Sequence, residues 1–290
     1  MFGSYGNVAG PLQLYTGTPI GGSTGLAIKQ AYINWKATDA LTITMGQFGT
    51  HIGYEVIDAP LNYHYSLSNL FNNGPFFHVG LKANYAFSDK ASLMLGVVNG
   101  VDNLYDNNRS KGIIAQLFVS PVAGWNVYLN GISSNEDSPI VAANGTAKET
   151  DGNYILGDLT TTYQITPEFM FGLNAATGSQ SILEGGKYVS KQWGGVAFYT
   201  NYAISSGFSL GARYEKFDNT SGIRLLRDAK GNGTDVGSLT VTGTFTIADG
   251  HLLIKPEFRS DSFKDMQFTD GDGKLTKSQS TFSLAMIAKF

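Results

Sequence analysis

Four histidines, at 51, 64, 78 and 251, are the natural bases of this 290-residue chain. His51 and His64 share one stretch with Glu55, Asp58 and Ser66, the residue types from which a hydrolytic dyad is built. Loops of this composition more often simply fold and bind water, so a hydrolase is the weakest functional reading of the chain. Asp270-Gly271-Asp272-Gly273-Lys274 has the alternate carboxylates of a calcium loop. Its register fails, because taking Gly273 as the sixth position puts Phe268 first and Gln279 twelfth. An Asp-Gly turn is the better reading. Zero Cys excludes thiolate metal sites and cysteine nucleophiles. The expectation is therefore no catalysis, no metal and no cofactor.

A second kind of chemistry lies in charges that alternate with apolar residues. Over 251–262, Leu252, Ile254, Pro256 and Phe258 share one strand face, while Lys255, Glu257, Arg259 and Asp261 share the other. Around 207–217, Phe208, Leu210, Ala212 and Tyr214 oppose Arg213 and Glu215 together with Ser209 and Gly211. Near 77–87, Lys82 lies opposite Val79, Leu81 and Tyr85. Four charges on one strand face would be ruinous in a dry sandwich core, where an unpaired ion costs several kcal/mol. A water-filled lumen tolerates them. The expected pore-lining set is Lys82, Asp158, Arg213, Glu215, Lys255, Glu257, Arg259 and Asp261, beside neutral Gln30, Asn34, Gln116, Asn126 and Asn130. Such mixed charge either orders water across an open pore or pairs up to brace a plugged wall; passage is the favoured reading.

These residues need a wall to hold them. The composition is 42% hydrophobic and 15% charged with 36 Gly, against roughly 25% charged residues in an average soluble domain. Disorder is thereby excluded. A net charge of −3 supplies no basic field for nucleic acid. No apolar run reaches the roughly 20 residues of a membrane-spanning helix. Thirteen segments with a period of two run at about 27–37, 41–50, 77–87, 91–100, 111–120, 125–133, 152–165, 168–177, 191–204, 207–217, 235–248, 251–262 and 278–290. Short turns such as Thr38-Asp39-Ala40, Thr166-Pro167 and Asp249-Gly250 alternate with long polar loops near 51–76, 101–110, 134–151, 178–190, 218–234 and 263–277. This is the asymmetry of a transmembrane up-and-down antiparallel β-barrel with short periplasmic turns and long extracellular loops. Trp35, Phe87, Trp125, Tyr163, Phe169, Tyr202 and Phe208 cluster beside the short turns on the apolar faces, as an interfacial aromatic girdle does.

The last strand alternates through Phe282, Leu284, Met286 and Ala288 to Phe290, and resembles the C-terminal signature that the barrel-assembly machinery reads in bacterial outer-membrane proteins. Phe290 is the expected assembly signal. Ile28-Lys29-Gln30-Ala31-Tyr32-Ile33-Asn34-Trp35, Leu41 to Thr50, the loop from His51 to Tyr63, and Gly96-Val97-Val98-Asn99-Gly100 resemble the OmpL-like outer-membrane β-barrel porin family. The resemblance implies a Gram-negative outer membrane and a diffusion channel.

Thirteen strands cannot close a barrel that has an even number and both termini inside. The expectation is about 14 strands in a single β-barrel domain over 1–290, with Met1 to Tyr5 as the stub of the fourteenth, or a parent of 16 whose signal peptide and first strands precede this sequence. The loop at 51–76 is the longest connection, and Leu61 to Phe71 has the residues for a short packed turn of helix. It either folds into or over the mouth as a constriction carrying Glu55, Asp58, Tyr63 and His64, or caps the surface. The expected partners are outer-membrane lipid, the assembly machinery, small hydrophilic solutes and, in a homo-oligomer, further copies of the chain. A structural or adhesive barrel with a closed lumen is the main alternative.

Overall fold

The computed structural model describes residues 12–17, 25–106, 108–137, 140–141, 147–148 and 152–289. One antiparallel sheet of 14 strands dominates, each strand hydrogen-bonded to its sequence neighbours in the sheet. The strands are β1 (Leu12–Gly17), β2 (Gly25–Lys36), β3 (Leu41–Gly49), β4 (Phe77–Ser88), β5 (Ala91–Val98), β6 (Gly112–Val119) and β7 (Trp125–Asn135). They continue as β8 (Asn153–Gln164), β9 (Phe169–Glu184), β10 (Lys187–Ser205), β11 (Phe208–Asp218), β12 (Asp235–Ile247), β13 (Leu252–Phe263) and β14 (Ser278–Ala288). Two small hairpins sit in the long loops, Ile140–Val141 with Ala147–Lys148 and Phe268–Thr269 with Leu275–Thr276. The helix α1 (Asn69–Asn73) lies between β3 and β4.

Period-two alternation sorts the side chains. Ile33, Met45, Leu81, Leu95, Leu129, Leu210 and Phe258 are exposed on the outer face, and Phe282 is 75% exposed. Such a continuous apolar surface would be a liability in water and is the normal surface of a barrel in lipid. At the short-turn end the aromatic residues expected as a girdle pair across strands, Trp125 with Tyr163 at 6.0 Å and Phe169 with Tyr202 at 6.4 Å between ring centroids. Phe208 stacks on Phe245 at 4.6 Å. Trp35 and Phe87 stand exposed at the same end, and the Trp125 indole donates to Thr161 Oγ1 at 2.9 Å. Such amphipathic rings suit the boundary between hydrocarbon and headgroups.

Three expectations are corrected. The loop expected at 178–190 is strand almost throughout. β9 and β10 pair from Phe169↔Tyr202 out to Glu184↔Lys187 and turn in two residues, Gly185 and Gly186, with φ of 57° and 80°. Two successive positive φ values make the type of hairpin turn whose twist matches the strands, and only glycine adopts them without strain. The fourteenth strand is Leu12–Gly17, paired with β2, rather than Met1 to Tyr5, which lie outside the described residues. The helix begins at Asn69, near the end of the expected Leu61–Phe71 turn, because Ser68 caps it: its Oγ accepts from Phe71 N at 3.0 Å. A 3-10 turn at Ala59–Leu61 is the other ordered piece. Phe290 lies outside the described residues.

Candidate functional site

The chain between β3 and β4 runs inside the curved sheet, and its contacts trace the path. Thr50 Oγ1 meets His78 Nε2 of β4 at 3.0 Å, and His51 Nε2 meets Gly131 O of β7 at 3.2 Å. Gly53 N donates to Asp158 of β8 at 3.2 Å. Tyr54 then stacks on Tyr199 of β10 at 4.1 Å and lies over β9 where Gly172 leaves room; a Cβ there would sit 2.5 Å from the Tyr54 hydroxyl. Asp58 reaches Lys29 of β2 at 2.5 Å. Beyond it, Asn62 O accepts from Lys255 of β13 at 2.5 Å, and His64 Nδ1 meets Thr242 Oγ1 of β12 at 2.7 Å. A flat sheet could not bring β2, β4, β8, β10 and β13 to one 27-residue segment. The sheet therefore curls around residues 50–76 as a barrel wall.

The wall charges hold this segment in place. Arg213 is fully buried; its guanidinium reaches Glu55 Oε1 at 2.5 Å and donates to Ser66 O at 2.7 Å. Glu215 accepts from the Asn69 backbone N–H at 2.8 Å. Glu257 accepts from the backbone N–H groups of Tyr65 at 2.8 Å and Ser66 at 3.0 Å, and from Thr242 Oγ1 at 2.7 Å. Arg259 donates to Leu67 O at 2.8 Å and pairs with Asp261 at 2.9 Å. Asp158 is served by neutral donors, Asn130 at 2.7 Å, Thr160 at 3.0 Å, Asn174 and Gly53 N. A loop backbone out of contact with water must find donors and acceptors, and these side chains supply them.

Sequence reasoning brought seven of the eight expected pore-lining residues to this neighbourhood. Asp158, Arg213, Glu215, Lys255 and Glu257 are buried beneath the loop, with Arg259 and Asp261 partly so. Lys82 stands apart from them on β4. Of the constriction candidates, Glu55 and His64 are buried against the wall and Asp58 is paired with Lys29. Tyr63 lines a cavity of about 140 Å³ with Tyr54, Glu55, Asn62, His64 and Tyr199. The large apolar loop side chains that remain exposed are instead Val56, Leu61 and Tyr65, with Leu61 at 72%. Burial pulls His51 down to about 3, His78 adding to the effect, and holds His64 well below the ordinary histidine range, with Arg213 and Lys255 adding to it. Burial likewise raises Tyr54 and Tyr63.

The conceivable dyad is not assembled. Ser66 Oγ faces Arg213 and Arg259 at 3.4 and 3.5 Å, Glu55 is committed to Arg213 and Ser68 N, and neither His51 nor His64 meets a serine hydroxyl among the described residues. At 270–274 the Asp270 carboxylate accepts from Asp272 N at 3.0 Å and Lys274 N at 2.8 Å, which makes a turn. What sequence reasoning missed is an apolar inner layer. Phe48, Met94, Val98, Ile114, Ile132, Leu156, Trp193 and Phe217 point inward and pack with Ile52 and Leu70 of the loop. The signal was present as unbroken apolar runs such as Ile113-Ile114, where a lumen-facing position carries a hydrophobe.

Across residues 1–290 the chain matches the family described as "Putative beta-barrel porin-2, OmpL-like". No curated protein matches it in sequence. Among solved structures it is similar to the outer membrane channel DcaP of Acinetobacter baumannii, with a TM-score of 0.63 at 12% identity over 96% of this chain and 79% of that one. OprB of Pseudomonas putida gives 0.58 at 13% identity, over 95% and 76%. OmpT of Vibrio cholerae, an outer membrane protein in its trimer form, gives 0.57 at 13%, over 96% and 85%. At these identities the likeness is one of fold.

Proposed function

Because the chain belongs to the OmpL-like β-barrel porin family and is a porin-like channel of the bacterial outer membrane, we propose that it passes small hydrophilic solutes and ions by passive diffusion, without catalysis, through a lumen that residues 50–76 narrow. The observation that carries this reading is the fixed position of the segment. Buried wall charges of β11 and β13 grip it at Glu55, Asn62, Tyr65, Ser66, Leu67 and Asn69. A segment so held is a permanent fitting of the pore, since freeing it would strand several buried ions without partners. Lys82, Asp158, Arg213, Glu215, Lys255, Glu257, Arg259 and Asp261 in this reading line the passage or fix the loop that does. Homo-oligomerisation is part of the proposal, supported by the trimer form of Vibrio cholerae OmpT. Lipid along the outer band and the assembly machinery, acting on Phe290, are its remaining partners.

The test is planar-bilayer conductance of the refolded protein beside a variant in which residues 60–72 are replaced by a short Gly-Ser linker. Discrete steps that grow larger in the variant are expected. Equal step size would remove the constriction role, and a folded barrel without steps would favour the closed structural or adhesive alternative.

A further inference from the structure

Nearly all inward charges serve the loop or one another, and Lys82 does not. Strands β3 to β6 together contain one Lys, Arg, Asp or Glu, and it is Lys82. It lies on β4 opposite Thr44 of β3 and Gly96 of β5. Its stem packs over the glycine, since a Cβ at Gly96 would fall 2.8 Å from both Lys82 Cβ and Ile114 Cγ1. Its ammonium sits 4.3 Å from the centroid of the Phe48 ring. Among the described residues no carboxylate comes within 4.0 Å of it. The titratable groups that feel its charge, His51 of the loop and His78 of its own strand, are imidazoles and bring it no negative counter-charge. Asn34, Thr44 and Asn84 complete a neutral polar surface on the adjacent inner faces.

We propose that Lys82 sets the ion preference of the channel, so that small anions such as chloride or a short carboxylate pass more readily than cations. The proposal rests on the reading of the protein as an open channel. A fixed cation without a counter-charge, on a wall that is otherwise neutral, raises the local concentration of anions. One lysine held only by a ring face attracts an anion without trapping it, as conduction requires. Arg213, Lys255 and Arg259 cannot play this part, because their charges are already committed to loop carbonyls and carboxylates.

The experiment measures reversal potentials across a potassium chloride gradient centred near 0.1 M for the wild type, Lys82→Gln, Lys82→Glu and Lys82→Arg, each checked for folding by its heat-dependent shift on gels. The chloride-to-potassium permeability ratio is expected to exceed one in the wild type and in Lys82→Arg. It should fall to one in Lys82→Gln and below one in Lys82→Glu. The wild-type preference should fade at 1 M salt, where the screening length drops from about 10 Å to about 3 Å. A ratio at or below one in the wild type at low salt overturns the proposal even if no variant folds. Conducting variants with an unchanged ratio overturn it for Lys82 alone, whereas a wild type that shows no steps overturns the channel reading beneath it.

Discussion

Arg213 shows at the scale of one residue what the inner wall does. Its guanidinium bridges Glu55 and the Ser66 carbonyl with no water contact, so the loop and β11 share one buried charge pair. Removing one partner of such a pair leaves the other ion buried alone, at a cost of about 3–5 kcal/mol. Arg213→Ala is therefore expected to undock the loop: chymotrypsin should cleave at Tyr63 or Tyr65 in a folded barrel where the wild type resists. Resistance equal to wild type would falsify the assignment of Arg213 as the anchor. The inward alternation of Arg213 and Glu215 was legible from the sequence because a strand repeats every two residues. Their partners were not. Glu55 and Asn69 lie 158 and 146 residues away from Arg213 and Glu215 respectively, and no local period encodes such a contact.

The elements differ in how much of them could be read. Hairpins closed by tight turns announce themselves through Asp, Gly, Ser and Pro. The β9–β10 extension did not, because Ser179, Gln180 and Ser181 have the composition of a loop while their backbones pair as strand, and the turn itself is only Gly185-Gly186. The segment at 50–76 was recognisable by length alone, and its place inside the barrel follows from polar contacts that only the folded wall creates. Its histidines make it sensitive to acid. The docked loop holds His51 and His64 as neutral rings, with His51 at about 3 against 6.5 for an unburied histidine. A base with a depressed value in the folded form contributes its full stability above 6.5 and loses it as pH falls from there toward 3. Backbone amide exchange over 51–68, corrected for its intrinsic rate, should accelerate between pH 7 and pH 4, and less so in His64→Gln. Protection that stays flat over that range would show that the loop does not sense these protons.

At the scale of the whole molecule, the architecture was legible because two independent patterns agreed: alternating faces, and a tight turn closing every second connection. β1 escaped notice, since six residues offer too few periods to stand out. The molecule presents one apolar band to lipid and a second, smaller apolar layer to its own loop. Leu95, mid-strand on the outer face of β5, tests the first. Leu95→Arg should lower the unfolding free energy in lipid vesicles by about 2–4 kcal/mol, as charges near the bilayer midplane do. Urea titrations that coincide with wild type would mean that this face is not immersed.

The docking of an early segment onto late strands sets an order of assembly. Residues 51–69 are made long before β11 and β13, yet Glu55 waits for Arg213, and Tyr65 waits for Glu257, 192 residues downstream. Closing so long a loop is entropically slow compared with zipping neighbouring strands. The wall must therefore form first, around a segment that cannot yet grip it, and the interior locks only when the last third of the chain arrives. A barrel stalled before β11 would hold an unfastened interior, and completion of the C-terminal strands is what turns a curled sheet into a defined passage.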